Sequence, residues 1–148
     1  MYKKLTLVLA CAGLLACQPS VEHQAKPAVL PDNALTQEWL GPYNGVPAFD
    51  QMNVADLAPA LRFGMQQSLA EVDAITTGPQ PATFENTMVP LEKVGALLDR
   101  VYPYYGLWLS NLSTPEVRKI AAELAPELSE FSSKISQNKA LFERVAQV

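Results

Sequence analysis

The sequence predicts an all-α fold, built as an antiparallel array of long helices. Three segments carry apolar residues at spacings of three and four, which is the period of an amphipathic helix. Capping residues precede these segments, and no segment shows a convincing strand pattern. The composition, 49% hydrophobic and 18% charged, is typical of a globular protein, and a formal net charge of −4 argues against a nucleic-acid partner.

The first helix is predicted from Asp56 to Thr76. Pro59 is compatible with a helix only in the first turn, where its missing N–H costs nothing, so Asp56 is the expected N-cap. Gly78 and Pro79 end this helix. Its apolar side comprises Leu57, Leu61, Met65, Ser68 or Leu69, Val72 and Ile75.

The second helix is predicted to begin within the stretch TFENTMVPLEKVGALLDR, residues 83–100. Thr83 or Asn86 can cap it, and Glu85 lies where the helix dipole favours a negative charge. The helix should run from Thr87 to about Leu112, with a kink or break at Pro103. Its apolar side comprises Val89, Leu91, Val94, Leu97, Leu98 and Val101.

The third helix begins at the most explicit start signal in the chain, Thr114-Pro115-Glu116, which supplies a cap, a first-position proline and an acid in the first turn. A long apolar stripe follows to Ile135, and Pro126 should bend the helix. Asn138 is expected to cap a last segment, Lys139 to Val148. No closing signal follows Val148, which favours a chain that continues in a longer protein.

Aromatic residues mark two further regions. The segment WLGPYNGVPAFD, residues 39–50, has turn signals between apolar side chains, and we expect an ordered loop packed on the helices. A hairpin around Asn44-Gly45 is an alternative, although its flanks do not alternate. A ligand-stacking role is conceivable for the aromatics between Tyr102 and Trp108, but their helical spacing favours the core.

The N-terminus is predicted to be a lipoprotein signal peptide, residues 1–16. Lys3 and Lys4 precede an apolar stretch that is too short to span a bilayer comfortably. The run Leu14-Leu15-Ala16-Cys17 resembles the lipobox of bacterial lipoproteins, which implies cleavage between Ala16 and Cys17 and lipid on Cys17. An ordinary secretory signal and an uncleaved anchor are the alternatives, and Ala10-Cys11 is a rival cleavage site with a very short apolar stretch.

Lipid on Cys17 would make the membrane a partner and hold the chain at the bacterial cell envelope, facing the periplasm. Gln18 follows the cysteine where an aspartate commonly retains enterobacterial lipoproteins in the inner membrane, so the outer membrane is favoured. Residues 17–38 are read as the lipidated cysteine and a flexible tether, with three prolines among small and polar residues. His23 is read as a solvated residue of this tether.

The sequence predicts no catalytic residue and no metal ligand in this chain. His23 is the sole histidine, and both cysteines lie in the first 17 residues, so a zinc site has almost no donors. Glu85, Glu92 and Asp99 lie close in sequence. Because Lys93 and Arg100 lie beside them, a solvated charged surface is favoured over a paired-carboxylate site.

Several phrases together resemble a known family. GPYNGVPAFD, PATFENTMVPLEKVGALLDRV, APELSEF and NKALFERV, in this order from about Trp39 to Val148, are similar to the N-terminal region of peptidyl-dipeptidase Dcp, oligopeptidase A and thimet oligopeptidase. The phrase at residues 47–50 is closest to the Dcp branch. The resemblance implies a zinc metallopeptidase for short peptides, with an almost wholly helical, two-lobed fold around a deep channel.

In that family an H-E-x-x-H helix and a downstream glutamate hold zinc, and this chain has no such motif. Residues 39–148 therefore resemble an N-terminal helical domain without the catalytic domain, inactive alone, which helps to wall the channel. Zinc and short peptides are expected only in the full-length parent. The alternatives are a self-sufficient helical lipoprotein that acts as a binding or structural module, and a gene product without function.

Overall fold

A computed structural model of the chain describes residues 32–41 and 45–148. Within these residues the structure consists of helices and turns, with one isolated antiparallel bridge between Leu40 and Val46 and no strand. The predicted all-α class is therefore confirmed. The signal peptide, Cys17, His23 and most of the tether lie outside the described residues.

Three long helices form the body: α1 is Leu57–Thr76, α3 is Ala96–Asn111 and α4 is Pro115–Ser136. A three-residue helix, α2, spans Val89–Leu91, and a last helix, α5, spans Lys139–Val145. Short 3₁₀ turns precede α1 at Ala34–Thr36, Phe49–Gln51 and Val54–Asp56. None of the described helices is long and apolar enough to cross a membrane.

The start of α1 differs in one detail from the prediction. Asp56 occupies the N-cap position, but its side chain makes no capping hydrogen bond. The capping side chain is Asn53, three residues upstream, which accepts from the N–H of Ala55 at 3.0 Å. Asn53 thus caps the 3₁₀ turn Val54–Asp56, and this turn leads directly into α1.

The second predicted helix is interrupted at a different place from the expected one. The chain leaves the helical path at Gly95, which has a φ of +87°. α3 then continues without a break through Pro103. Because proline has no N–H, the carbonyl of Asp99 has no helical hydrogen-bond donor at residue 103. Both residues are exposed, so water can hydrate this carbonyl. The prediction for Pro103 was a kink or a break, and the continuous helix shows that a break is wrong.

The remaining helix starts follow the prediction. The hydroxyl of Thr114 accepts from the N–H of Val117 at 3.2 Å, and Pro115 is the first residue of α4. The side chain of Asn138 accepts from the N–H of Leu141 at 2.9 Å and caps α5. α4 remains helical across Pro126.

The core has a main part and a smaller part. The main part lies between the first half of α1, α3 and α4, and its fully buried side chains include Leu57, Leu61, Val101, Tyr104 and Leu124. The smaller part joins the second half of α1 to α5 through Val72, Ile75 and Leu141. α1 and α3 approach closely at Gly64, where a Cβ atom would lie 3.1 Å from the Cα of Leu98.

The packed structure begins before Trp39. Leu35 is only 1% exposed and belongs to the main core, although the sequence assigned it to the tether. Asn33 caps its 3₁₀ turn and donates to the carbonyl of Asp56 at 3.1 Å. The sequence does not identify Leu35 as a core residue, because it lies in a polar, proline-containing stretch without a helical apolar pattern.

Candidate functional site

The stretch at residues 83–100 folds as a capped turn followed by short helical pieces. Thr83 and Asn86 form a capping box: the Thr83 hydroxyl accepts from the N–H of Asn86 at 3.3 Å, and the side-chain oxygen Oδ1 of Asn86 accepts from the N–H of Thr83 at 2.9 Å. Of the two candidate N-caps, Thr83 is therefore the N-cap, and Asn86 is its capping-box partner within the turn. The turn itself, Phe84–Met88, is a single π-helical turn.

Asn86 also ties this turn to neighbouring segments. Its amide nitrogen donates to the carbonyl of Pro81 at 2.9 Å, and its oxygen accepts from the Thr87 hydroxyl at 2.9 Å. Arg144 of α5 contacts the same oxygen at 3.4 Å and donates to the carbonyl of Gly78 at 3.1 Å. The side chain thus joins the loop after α1, the π turn and α5, which is a structural role.

The three neighbouring carboxylates do not form a site. Glu85, Glu92 and Asp99 are all exposed. A carboxylate that acts as a general acid needs an apolar pocket to raise its pKa, and none of the three occupies one. The structure therefore agrees with a solvated charged surface.

Glu71 of α1 makes a contact that the sequence did not single out. Its carboxylate accepts from the N–H of Gly95 at 2.9 Å and from the side chain of Gln67 at 3.1 Å. The backbone at the left-handed Gly95 is thereby held against α1. No local pattern predicts such a link, because its partners are 24 residues apart.

The aromatic residues of α3 are divided between core and surface. Tyr104 is 1% exposed and Tyr105 is 8% exposed, whereas Tyr102 is 41% exposed. Burial raises the pKa of Tyr105, and the nearby Tyr102 adds to this effect. The expected core role is thus confirmed for Tyr104 and Tyr105 but not for Tyr102.

A cavity of the described part lies between the N-terminal segment and α3. Its volume is about 740 Å³, and Trp39, Pro47 and Tyr104 line it together with Glu38 and Asp50. The Tyr104 hydroxyl accepts from the N–H of Ala48 at 2.8 Å, and the Trp39 and Tyr104 rings meet edge to face at 6.4 Å. These contacts confirm that the segment after Trp39 packs on the helices.

This cavity has the size of a small-ligand site but lacks a catalytic arrangement. Its lining holds two carboxylates, Glu38 and Asp50, and no histidine, cysteine, serine or lysine that could act beside them as acid, base or nucleophile. Among the described residues, no group of three or more His, Cys, Asp or Glu is placed to hold a metal ion. Ala16 and Cys17, the predicted cleavage and lipidation residues, lie outside the described residues.

Comparison with known proteins identifies relatives. The chain is 33% identical over 113 residues to dipeptidyl carboxypeptidase of Salmonella typhimurium, which covers 76% of this chain and 16% of that protein. It is 36% identical over 99 residues to the Escherichia coli dipeptidyl carboxypeptidase, covering 67% of this chain and 14% of the relative. No protein-family model matches the chain.

A more distant relative is oligopeptidase A of Escherichia coli, 26% identical over 108 residues, covering 73% of this chain and 16% of that protein. The chain thus spans about one sixth of the length of the curated relatives that it matches. The match includes most of the described helical residues. By sequence, therefore, the chain belongs to the family of dipeptidyl carboxypeptidase and oligopeptidase A.

Proposed function

We propose that the chain is the N-terminal helical segment of a lipid-anchored zinc peptidase that hydrolyses short peptides. The observation that carries the proposal is the 33% identity to a dipeptidyl carboxypeptidase across 76% of the chain. Peptide hydrolysis belongs to the longer polypeptide, and the segment described here helps to wall the substrate channel.

The residues of this chain do not fit a zinc site. The sequence has one histidine and no H-E-x-x-H, and the described part holds no cluster of metal-binding side chains. In the proposed protein, zinc and the water-activating glutamate belong to the remaining polypeptide. No step of hydrolysis is assigned to the residues of this segment.

An activity assay tests whether peptide hydrolysis requires the longer polypeptide. The coding region is first sequenced past the codon for Val148, and both the 148-residue chain and any longer product are purified. We expect the longer product to hydrolyse short peptides, to lose this activity with a chelator and to regain it with zinc. The 148-residue chain should be inactive, and chelator-sensitive hydrolysis by this chain alone would contradict the proposal.

Attachment to the envelope is tested separately. The sequence around Cys17 supports lipidation, and several acyl chains on one cysteine would hold the protein stably at a membrane. We expect Cys17→Ser to abolish incorporation of a labelled fatty acid in the bacterium and to prevent attachment to the outer membrane. Cys11→Ser is the matched control and should keep the label. Label that depends on Cys11 would show that the cleavage site was misassigned.

A self-sufficient helical lipoprotein that acts as a binding module is the second candidate. The cavity of about 740 Å³ beside Trp39 favours it, since this volume lies within the range of ligand pockets. A stop codon directly after Val148 together with cooperative unfolding of the isolated chain would support this candidate over the peptidase segment.

A further inference from the structure

The cavity beside Trp39 has a lining whose charges are all negative. The charged lining residues are Glu38 and Asp50, and among the described residues no lysine, arginine or histidine lines the cavity. Two amide side chains, those of Gln37 and Gln51, add further oxygen atoms to the lining. A cavity with this lining attracts cations and repels anions, because the potentials of neighbouring charges of one sign add together.

The two carboxylates have little engagement within the protein. Asp50 is exposed, and none of the ion pairs in the described part of the chain includes it. Glu38 Oε1 lies 3.8 Å from Arg100 Nη1, which is a long contact, and the Glu38 side chain remains 87% exposed. Exposed ion pairs of this kind contribute little free energy. Both carboxylates are therefore available to a cationic ligand.

The apolar part of the lining includes two highly exposed side chains. An antiparallel bridge joins Leu40 to Val46, and these residues are 82% and 57% exposed. Trp39 and Pro47 line the cavity beside them and are only partly buried. Exposed apolar side chains rimmed by polar groups are typical of binding sites. A ligand with a short hydrocarbon body would cover part of this surface.

We propose that the cavity binds a primary ammonium group carried on a short hydrocarbon body. An ammonium group has three N–H donors and no acceptor, so it matches a lining of carboxylate and amide oxygens. The ammonium group pairs with Glu38 and Asp50, and the hydrocarbon body lies against Trp39, Leu40 and Val46. A free alkylamine and the lysine side chain of a peptide share this chemistry. The inference gives a ligand class to the cavity that favours the binding-module candidate, and it requires neither zinc nor hydrolysis.

Binding of n-butylamine to the purified 148-residue chain tests the proposal. Nuclear magnetic resonance follows the indole N–H signal of Trp39, and Trp108, which does not line the cavity, is the internal control. n-Butanol and butyrate are the neutral and anionic probes of similar size. We expect n-butylamine to bind about tenfold more tightly than n-butanol, because each carboxylate adds a favourable charge interaction. Butyrate should leave the Trp39 signal in place, and equal affinities for the amine and the alcohol would overturn the proposal.

Asp50→Asn and Asp73→Asn form a matched pair of charge removals. Asp73 is also exposed, but it lies on the second half of α1 and does not line the cavity. We expect Asp50→Asn to weaken the binding of n-butylamine about three- to fivefold and to leave that of n-butanol unchanged. Asp73→Asn should change neither, and circular dichroism checks that both variants fold. Equal weakening in both variants, or none in Asp50→Asn, would overturn the proposal, since the attraction would then not come from the cavity.

Two further probes distinguish the sources of the ammonium group. The peptide acetyl-Ala-Lys-Ala-amide carries it on a side chain, and the same peptide with norleucine in place of lysine lacks it. Tighter binding of the lysine peptide than of n-butylamine, with no binding of the norleucine peptide, would support a lysine side chain as the ligand. Tighter binding of n-butylamine would support a free alkylamine. Failure of both amines to bind would overturn this inference alone, whereas a longer product without peptidase activity would overturn only the proposed function.

Discussion

At the residue scale, Asn86 explains why the stretch TFENT is structured without being a chemical site. A cap normally serves the first turn of one helix. Here one amide group serves the π turn, the carbonyl of Pro81 and the guanidinium of Arg144. The sequence identified Thr83 and Asn86 as cap candidates, but the contact with Arg144 joins residues 58 positions apart and was not predictable from a local pattern.

Replacing Asn86 by alanine should therefore destabilise the folded protein. We expect Asn86→Ala to lower the free energy of unfolding by about 1–2 kcal/mol, because it removes a cap and leaves partners without hydrogen bonds. Urea denaturation followed by circular dichroism measures the change. Asn111→Ala is the control, since the exposed Asn111 side chain donates only to the carbonyl of Leu107. Equal effects of the two variants would refute the special role of Asn86.

At the scale of elements, the sequence predicted helix starts better than the break between α2 and α3. Thr114 and Asn138 are locally readable because a cap acts on the next three residues. Gly95 was missed since an isolated glycine is tolerated within a helical pattern, whereas here its left-handed backbone separates the turn after α2 from the start of α3. The Glu71 contact that holds this break comes from another helix and leaves no local pattern.

Two glycine substitutions test whether the left-handed backbone at Gly95 is what requires a glycine there. Gly95→Ala should destabilise the protein by about 1–2 kcal/mol, because L-residues disfavour the left-handed region. An added Cβ would meet Ser68 Oγ at 3.5 Å, an ordinary contact, so the cost is one of backbone conformation. Gly106→Ala should instead stabilise by about 0.5–1 kcal/mol, since it lies within α3 and its Cβ would meet nothing within 4 Å. Thermal unfolding that shifts in the same direction for both would contradict this interpretation.

The link between α1 and α4 has a defined pH dependence. Arg62 donates two hydrogen bonds to the Glu127 carboxylate, at 2.7 and 2.8 Å, and they lower the pKa of Glu127. A carboxyl group whose pKa is lowered in the folded state stabilises the folded state at pH values above its ordinary pKa of 4.5. This contribution is lost as the pH falls through the folded-state pKa. Both side chains are more than a third exposed, so the effect is small.

We expect Glu127→Gln to lower the free energy of unfolding by about 0.5 kcal/mol at neutral pH and low salt. The difference from the wild type should disappear as the pH falls below the folded-state pKa of Glu127, and it should shrink in high salt. Glu143→Gln, which removes an exposed contact of 3.5 Å with Lys139 within α5, is the control. A difference that persists in strong acid would exclude the ion pair as its cause.

At the scale of the whole molecule, the two parts of the core should differ in cooperativity. The main part includes residues from the 3₁₀ turn at Ala34–Thr36 and from three long helices, whereas the smaller part fastens the seven-residue α5 to the end of α1. The sequence predicted the extents of α1 and α4 closely, but the predicted second helix, Thr87 to about Leu112, and last segment, Lys139 to Val148, are longer than α3 and α5. The consequence of this division of the core for stability depends on tertiary contacts, such as those of Arg144 with the loop after α1, which periodicity alone does not show.

Matched leucine truncations test this division. Leu124 is 0% exposed in the main core and Leu141 is 8% exposed in the smaller one. Leu124→Ala should lower global stability by about 2–4 kcal/mol, because it opens a cavity among α1, α3 and α4. Leu141→Ala should chiefly accelerate hydrogen exchange in α5, since few contacts hold that helix and local opening requires less free energy than global unfolding. Exchange in α1 and α3 should rise only in Leu124→Ala, and a uniform rise across all helices in Leu141→Ala would mean that both parts of the core unfold as one unit.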